Sequence, residues 1–193
     1  MALPDMEFGD RFSVQSMRGS RYMLTLLKVG AKESGLFVRM DDGRVARLDA
    51  AALNWETFEP VEKVGAALRK GDELLIESTS GAVRGELEGA PDGKVHIRLP
   101  IGVPLFVPVE DIRQVYLLFK ARNLKRGDHM TVKSKSGNEY RGEISALGAG
   151  NTVKLNLHTG GSTNIRLQKV DLSSLLVAIP LDEAAVRESV AAW

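Results

Sequence analysis

The sequence predicts an all-β protein: three tandem small five-stranded barrels followed by a short C-terminal helix. Three observations carry this. A Gly-Asp pair recurs at Gly9-Asp10, Gly71-Asp72 and Gly127-Asp128, and ten residues after each first glycine stands another, at Gly19, Gly81 and Gly137. The intervening strings, GDRFSVQSMRG, GDELLIESTSG and GDHMTVKSKSG, each read as a turn, an alternating run and a second turn. The runs that follow alternate with period two, so one face of each strand is apolar and the other polar.

The repeat spacing is 62 residues, then 56. A unit of that length has room for five short strands. The second and third units also share RGEL and RGEI at Arg84–Leu87 and Arg141–Ile144, and each has a later strand-like run, KVHIRL or TVKLNL. In the third unit Met130, Val132 and Ser134 fall on one face, with Thr131, Lys133 and Lys135 on the other. Val153 and Leu155 likewise alternate with Lys154 and Asn156. One wet face per strand means antiparallel sheet, and a small half-apolar sheet must curl over its own core. Gly85 and Gly142, inside strands, mark bends or close approaches.

The boundaries follow from these runs: barrel modules at 1–58, 71–119 and 120–179, a linker at 59–70 and a helical segment at 180–193. The linker carries a short helical turn around Val64–Leu68. The stretches Gly30–Gly35 and Asp41–Arg44 read as hairpin turns. Met23, Leu27, Phe37, Trp55 and Phe58 in the first module are expected to pack on the second module or to meet a partner. At the end of the chain, Pro180 is expected to stop the last strand and Asp182 to cap the helix.

The string GDELLIESTSGAVRGELEGAPDGKVHIRL, followed by VPVEDIRQVYLL, resembles the superfamily of small barrels that includes SH3-like, Tudor-like and Sm-like domains. The Sm-like form is the most similar: an apolar strand, a glycine turn, a strand with Arg-Gly, a variable loop, then three more strands. The resemblance covers most of Gly71–Phe119 and Gly127–Ile179. It implies a bent five-stranded barrel, and many members of the family form rings and bind RNA. The family's RNA-contacting residues are not matched: Asn151 is followed by Thr152, the second module has Asp92-Gly93-Lys94, and Ile165-Arg166 precedes Leu167 instead of glycine. The resemblance therefore carries the fold and assigns no site residue.

Charge separates what the repeats share. The chain has 26 basic and 25 acidic residues, for a formal net charge of +1. Residues 71–119 hold four basic and eight acidic residues, whereas residues 120–179 hold ten basic and four acidic. Clustered charge of one sign creates a local field whatever the total. Lys133, Lys135, Arg141, Lys154 and Arg166 fall on the outward phase of their strands, and KARNLKR adds Lys120, Arg122, Lys125 and Arg126. This pattern suits a phosphate backbone, RNA or DNA, bound through counterion release. It also suits an acidic protein surface. The second reading is a scaffold in which the acidic module of one chain meets the basic module of another, giving a homo-oligomer.

Catalysis is not expected. The chain has no cysteine, which removes disulfides, thiolate nucleophiles and cysteine-ligated metals. His96, His129 and His158 are scattered without metal-ligand spacing and read as surface polar groups, so neither metal nor cofactor is expected. Glu110, Asp111 and Asp171 recur near strand ends as turn residues. Neither a G-x-S-x-G elbow nor a phosphate loop is present. No apolar run approaches the roughly 20 residues of a membrane helix, and the first residues, MALPDMEFGD, carry acids where a signal peptide is basic. A cytoplasmic location with no membrane partner is the expectation.

Overall fold

The structure, a computed structural model, describes residues 3–30, 35–63 and 66–193. The tip of the Gly30–Gly35 turn and the start of the Val64–Leu68 turn lie outside the described residues. Residues 66–70 are not helical. The chain divides into two compact units, the first comprising Met1–Val115 with Pro180–Trp193, the second Tyr116–Ile179.

In the first unit, β1 (Arg11–Ser16), β2 (Arg21–Val29), β3 (Gly35–Met40), β4 (Val45–Asp49) and β5 (Leu53–Val61) form an antiparallel sheet in the order β4-β3-β2-β1-β5. Next come β6 (Glu73–Ser78), β7 (Gly81–Gly89), β8 (Lys94–Arg98), β9 (Pro104–Pro108) and β10 (Ile112–Phe119), in the order β10-β6-β7-β8-β9. The second unit contains β11 (His129–Ser134), β12 (Glu139–Gly148), β13 (Thr152–Leu157), β14 (Ser162–Arg166) and β15 (Val170–Leu181), in the order β15-β11-β12-β13-β14. Strands β10 and β15 each cross a unit boundary, and β6–β15 belong to one ten-stranded sheet. A short helix, α1 (Glu183–Ala191), ends the chain, capped by Asp182, whose carboxylate accepts from the Ala184 amide at 2.9 Å.

The protein is all-β with one short helix, but its sheets of five and ten strands are open; they are not closed barrels. The fourth strand of each set has only five residues and is used up pairing with the third. A single 3-10 turn (Ala50–Ala52, Val109–Asp111 or Leu167–Lys169) then redirects the chain into the fifth strand. Curvature comes from bulges, as at Leu26/Lys28, Leu87/Gly89 and Ile144/Ala146, and no ladder joins the fourth strand to the fifth.

The Gly-Asp signature has a physical cause. The amides of Gly9, Gly71 and Gly127 each donate at 2.8 Å to a carbonyl of the second strand, of Leu26, Leu87 and Ile144 respectively. All three glycines have φ between 85° and 91°, where a side chain is strained. The aspartate carboxylate then accepts from the amide three residues upstream, of Glu7, Arg69 or Lys125, at 2.7–2.8 Å. Asp72 does more. Its Oδ2 also accepts from Arg39 Nη2 at 2.6 Å, and both side chains are nearly buried.

Gly142 is required by close approach: a Cβ there would lie 2.2 Å from the Asn156 carbonyl oxygen, and at Gly85 2.6 Å from that of Arg98. Opposite Phe12 the same register position is Leu24, opposite Leu74 it is Gly85 and opposite Met130 it is Gly142. The core of the second unit gathers Met130, Val132, Ile144, Val153 and Leu155. Each such side chain contributes roughly 1.5–3 kcal/mol of transfer free energy.

Trp55 and Phe58 do not leave their own sheet to find a partner. They pack on Phe12, with ring centroids 6.3 and 5.4 Å away, and Trp55 Nε1 donates to the Ala50 carbonyl at 2.9 Å. Leu27 is buried because it is the extra residue of the β2 bulge. Pro180 does not stop the last strand: it lies within β15, one residue from its end, where a missing N–H is tolerated. Its carbonyl accepts from Lys28 Nζ at 2.8 Å. Burial lowers the Lys28 pKa, and Asp182 partly offsets this.

Candidate nucleic-acid interface

The alternation of β11–β14 sends Met130, Val132, Ile144, Val153, Leu155 and Ile165 inward and leaves the intervening residues outward. Lys133, Lys154 and Arg166 are exposed on that outer face, as their strand phase requires. They do not form one continuous stripe with the others. Register places Lys133 between Glu139 on β12 and Asp171 on β15. Arg141 Nε donates to Glu139 Oε1 at 2.5 Å. Lys135 lies beyond the end of β11, in the turn to β12, where its amide donates to the Lys169 carbonyl at 3.1 Å. Asp171 is held below the usual carboxylate range, first by the Ser173 hydroxyl and amide and also by the Lys135 charge. At this end of the sheet, cations and carboxylates are interleaved.

Lys154 and Arg166 stand at the other end. Arg166 is the cross-strand partner of Thr152, and Lys154 that of Asn164 and Ala146. From Arg141 to Ala146 is five residues of β12, roughly 16 Å of strand path. The five side chains grouped by sequence phase therefore divide into two places.

Beside the Lys154–Arg166 end lies an open groove of about 600 Å³, built entirely within the second unit. Lys120, Arg122 and Asn123 come from the segment before β11; Leu147, Asn151 and Thr152 come from the β12–β13 turn and its flanks. Leu167, Leu172 and Leu175 complete the floor. Leu147 is 51% and Leu172 61% exposed. Asn151 takes the left-handed conformation, φ 55°, and its carbonyl accepts from the Leu167 amide at 2.9 Å, which ties the turn to the floor. No carboxylate lines the groove. Among the described residues, Lys120, Arg122, Lys154 and Arg166 take part in no ion pair.

The chemistry of this site is that of an anion with an apolar or planar part. Leucines supply an apolar surface, Asn151 a polar group, and Lys120 and Arg122 the positive charge of the lining, while Lys154 and Arg166 are exposed on the neighbouring strands and do not line it. The basic segment KARNLKR was legible in the sequence, but its meeting with Leu147 and Leu172 was not, because that needs the β12 bulge and the 3-10 turn.

The structure also brings together two of the scattered histidines. His129 Nδ1 and His158 Nε2 lie 3.2 Å apart, with Tyr116 beside both rings. His96 instead stacks on Phe106 in the first unit, centroids 4.3 Å apart and planes at 11°. Among the described residues no group of three or more metal-ligating side chains occurs, and no helix is long and apolar enough to cross a membrane. No family model matches the chain, and comparison with curated proteins finds no significant relative.

Proposed function

We propose that the protein binds single-stranded nucleic acid, without catalysis, through the groove of the second unit. The observation that carries this reading is a groove of about 600 Å³ with apolar floor, two amides, cationic rim and no carboxylate. In this reading Lys120, Arg122, Lys154 and Arg166 follow the phosphate backbone and the leucine floor receives a base. Lys154 and Arg166 remain from the set that strand phase suggests. Arg141 is engaged by Glu139, and Lys133 is flanked by two carboxylates, so both contribute little. Absence of acids favours the polyanion over a mixed protein surface.

The finer fold reading belongs with this proposal: each five-strand set is a copy of one small unit of SH3-like or Sm-like kind. Its support is the strand order, with the fifth strand beside the first in every set, together with the matching Gly-Asp hydrogen bonds. The test of function is fluorescence anisotropy of labelled single-stranded RNA and DNA oligonucleotides with the full chain at low salt. Saturable binding, weakened at least about tenfold by the double substitution Lys120→Ala, Arg122→Ala, is expected. No binding to either strand at low salt rejects the proposal, because the electrostatic attraction is strongest there.

A second reading has one observation of its own. Ile101, Val103 and Phe106 are 79%, 49% and 48% exposed along the β8–β9 hairpin of the first unit. Three large apolar side chains near one another favour a protein partner there. This surface is made by residues of the first unit and the groove by residues of the second, so the scaffold and the nucleic-acid readings are separable by substitution.

A further inference from the structure

We propose that His129 and His158 form a two-histidine site for a divalent transition-metal ion such as zinc, nickel or copper. His129 opens β11, on the face opposite the buried Met130 and Val132. His158 follows β13, and its amide donates to the Arg141 carbonyl at 3.2 Å, which fixes its backbone against β12. The two ring nitrogens, Nδ1 of His129 and Nε2 of His158, are 3.2 Å apart, with centroids 5.4 Å apart and planes at 59°.

That separation suits a shared ion. Two nitrogens bound at 2.0–2.1 Å lie about 3.3–3.4 Å apart at a tetrahedral angle and about 2.9 Å apart at a right angle. The observed value falls between these, so small rotations of the two rings aim both lone pairs at one point. The contact between the two rings is a single hydrogen bond, a modest interaction to exchange for two metal–nitrogen bonds. Tyr116, 8% exposed, lies 5.8 and 6.0 Å from the two ring centroids and limits their alternatives.

Register puts Glu143 directly across from His129, and Arg141, the nearest basic residue on β12, is turned to Glu139. Imidazole ligands select zinc, nickel and copper over magnesium and calcium. With two protein ligands the remaining coordination positions are filled by water, so the site binds a metal without any role in catalysis being assigned to it. Because these residues are not part of the groove, the site stands independently of nucleic-acid binding.

The test is calorimetric titration of the full chain with zinc chloride near neutral pH, with imidazole NMR signals followed in parallel. One equivalent is expected to bind, shifting the His129 and His158 signals together and leaving His96 unmoved. H158Q and H129Q should each weaken binding at least about tenfold, while H96Q leaves it unchanged. Magnesium chloride should leave both signals in place. Absence of saturable zinc binding up to about 1 mM, or zinc binding that H158Q does not diminish, would overturn the assignment; the wild-type NMR shifts decide it even where a variant is unstable.

Discussion

Strands β6–β10 and β11–β15 share a strand order and the same backbone hydrogen bonds at their Gly-Asp turns, yet carry opposite surfaces. The contrast is sharpest at two cross-strand positions. In the first region they hold His96 and Phe106, stacked face to face; in the second they hold Lys154 and Asn164. The neighbouring bulge residue is Glu88 in one and Ser145 in the other. Glu88 draws in both Lys70, at 3.4 Å, and Arg98, and Arg84 pairs with Glu73. Lys70, Arg84 and Arg98 of the first region are thus neutralised locally, whereas Lys120, Arg122, Lys154 and Arg166 of the second are not. Backbone geometry is fixed by a few glycines and aspartates, so the outer face is free to diverge. Function follows the face.

The shared skeleton can be broken, and the largest effects are expected there. Val132→Asp should cost about 4 kcal/mol or more, since Val132 is fully buried and a carboxylate gains no partner in that core. Gly142→Val should be of similar severity, with Gly85→Val close behind, because both displace a neighbouring carbonyl. Denaturant midpoints measure all three; a tolerated Gly142→Val would show that the strands do not need this approach.

The next comparison separates two aspartates with the same turn bond. Asp10→Ala should cost about 1 kcal/mol, the usual loss of a capping carboxylate. Asp72→Ala should cost about 3–5 kcal/mol, because it leaves the buried Arg39 guanidinium without its counter-charge. Equal losses in thermal or urea unfolding would mean that the Arg39 pair adds nothing.

Exchanging the diverged positions sharpens the functional side. The double change His96→Lys, Phe106→Asn gives the first region the side chains of the second and should cost less than about 1.5 kcal/mol. It should add no oligonucleotide affinity, since Glu88 remains beside the new lysine. A gain in affinity would show that isolated cations suffice. The smallest effect is expected at Lys133→Asp, about 1 kcal/mol at most, although its neighbour Val132 is among the most sensitive positions.

The sequence makes the strands legible because period two is local: alternation alone puts Val132 and Lys133 on opposite faces. The Gly-Asp signature was legible as a turn, since a left-handed glycine and a short carboxylate leave a recurring trace. Barrel closure was not legible, because it depends on whether the fourth and fifth strands of a set pair, and β4, β9 and β14 are too short to decide it by pattern. The candidate site was half legible. Lys120, Arg122, Lys154 and Arg166 declared themselves by charge, but Arg141 was indistinguishable from them until Glu139 was seen beside it. Leu147, Leu172 and the His129–His158 pair left no signal, as bulges and non-adjacent loops join residues that no sequence period connects.

The account rests on the four unneutralised cations of the second unit acting together on one phosphate backbone. Their joint contribution is read most directly from the salt dependence of binding to a single-stranded oligonucleotide. For a single strand each phosphate contact adds about 0.7 to the slope of log affinity against log salt. Alanine at Lys120, Arg122, Lys154 and Arg166 should therefore reduce the slope by roughly three units, with the fold intact by circular dichroism. A slope unchanged by the four substitutions, or one lost equally by alanine at Lys133, Lys135 and Arg141, would contradict it.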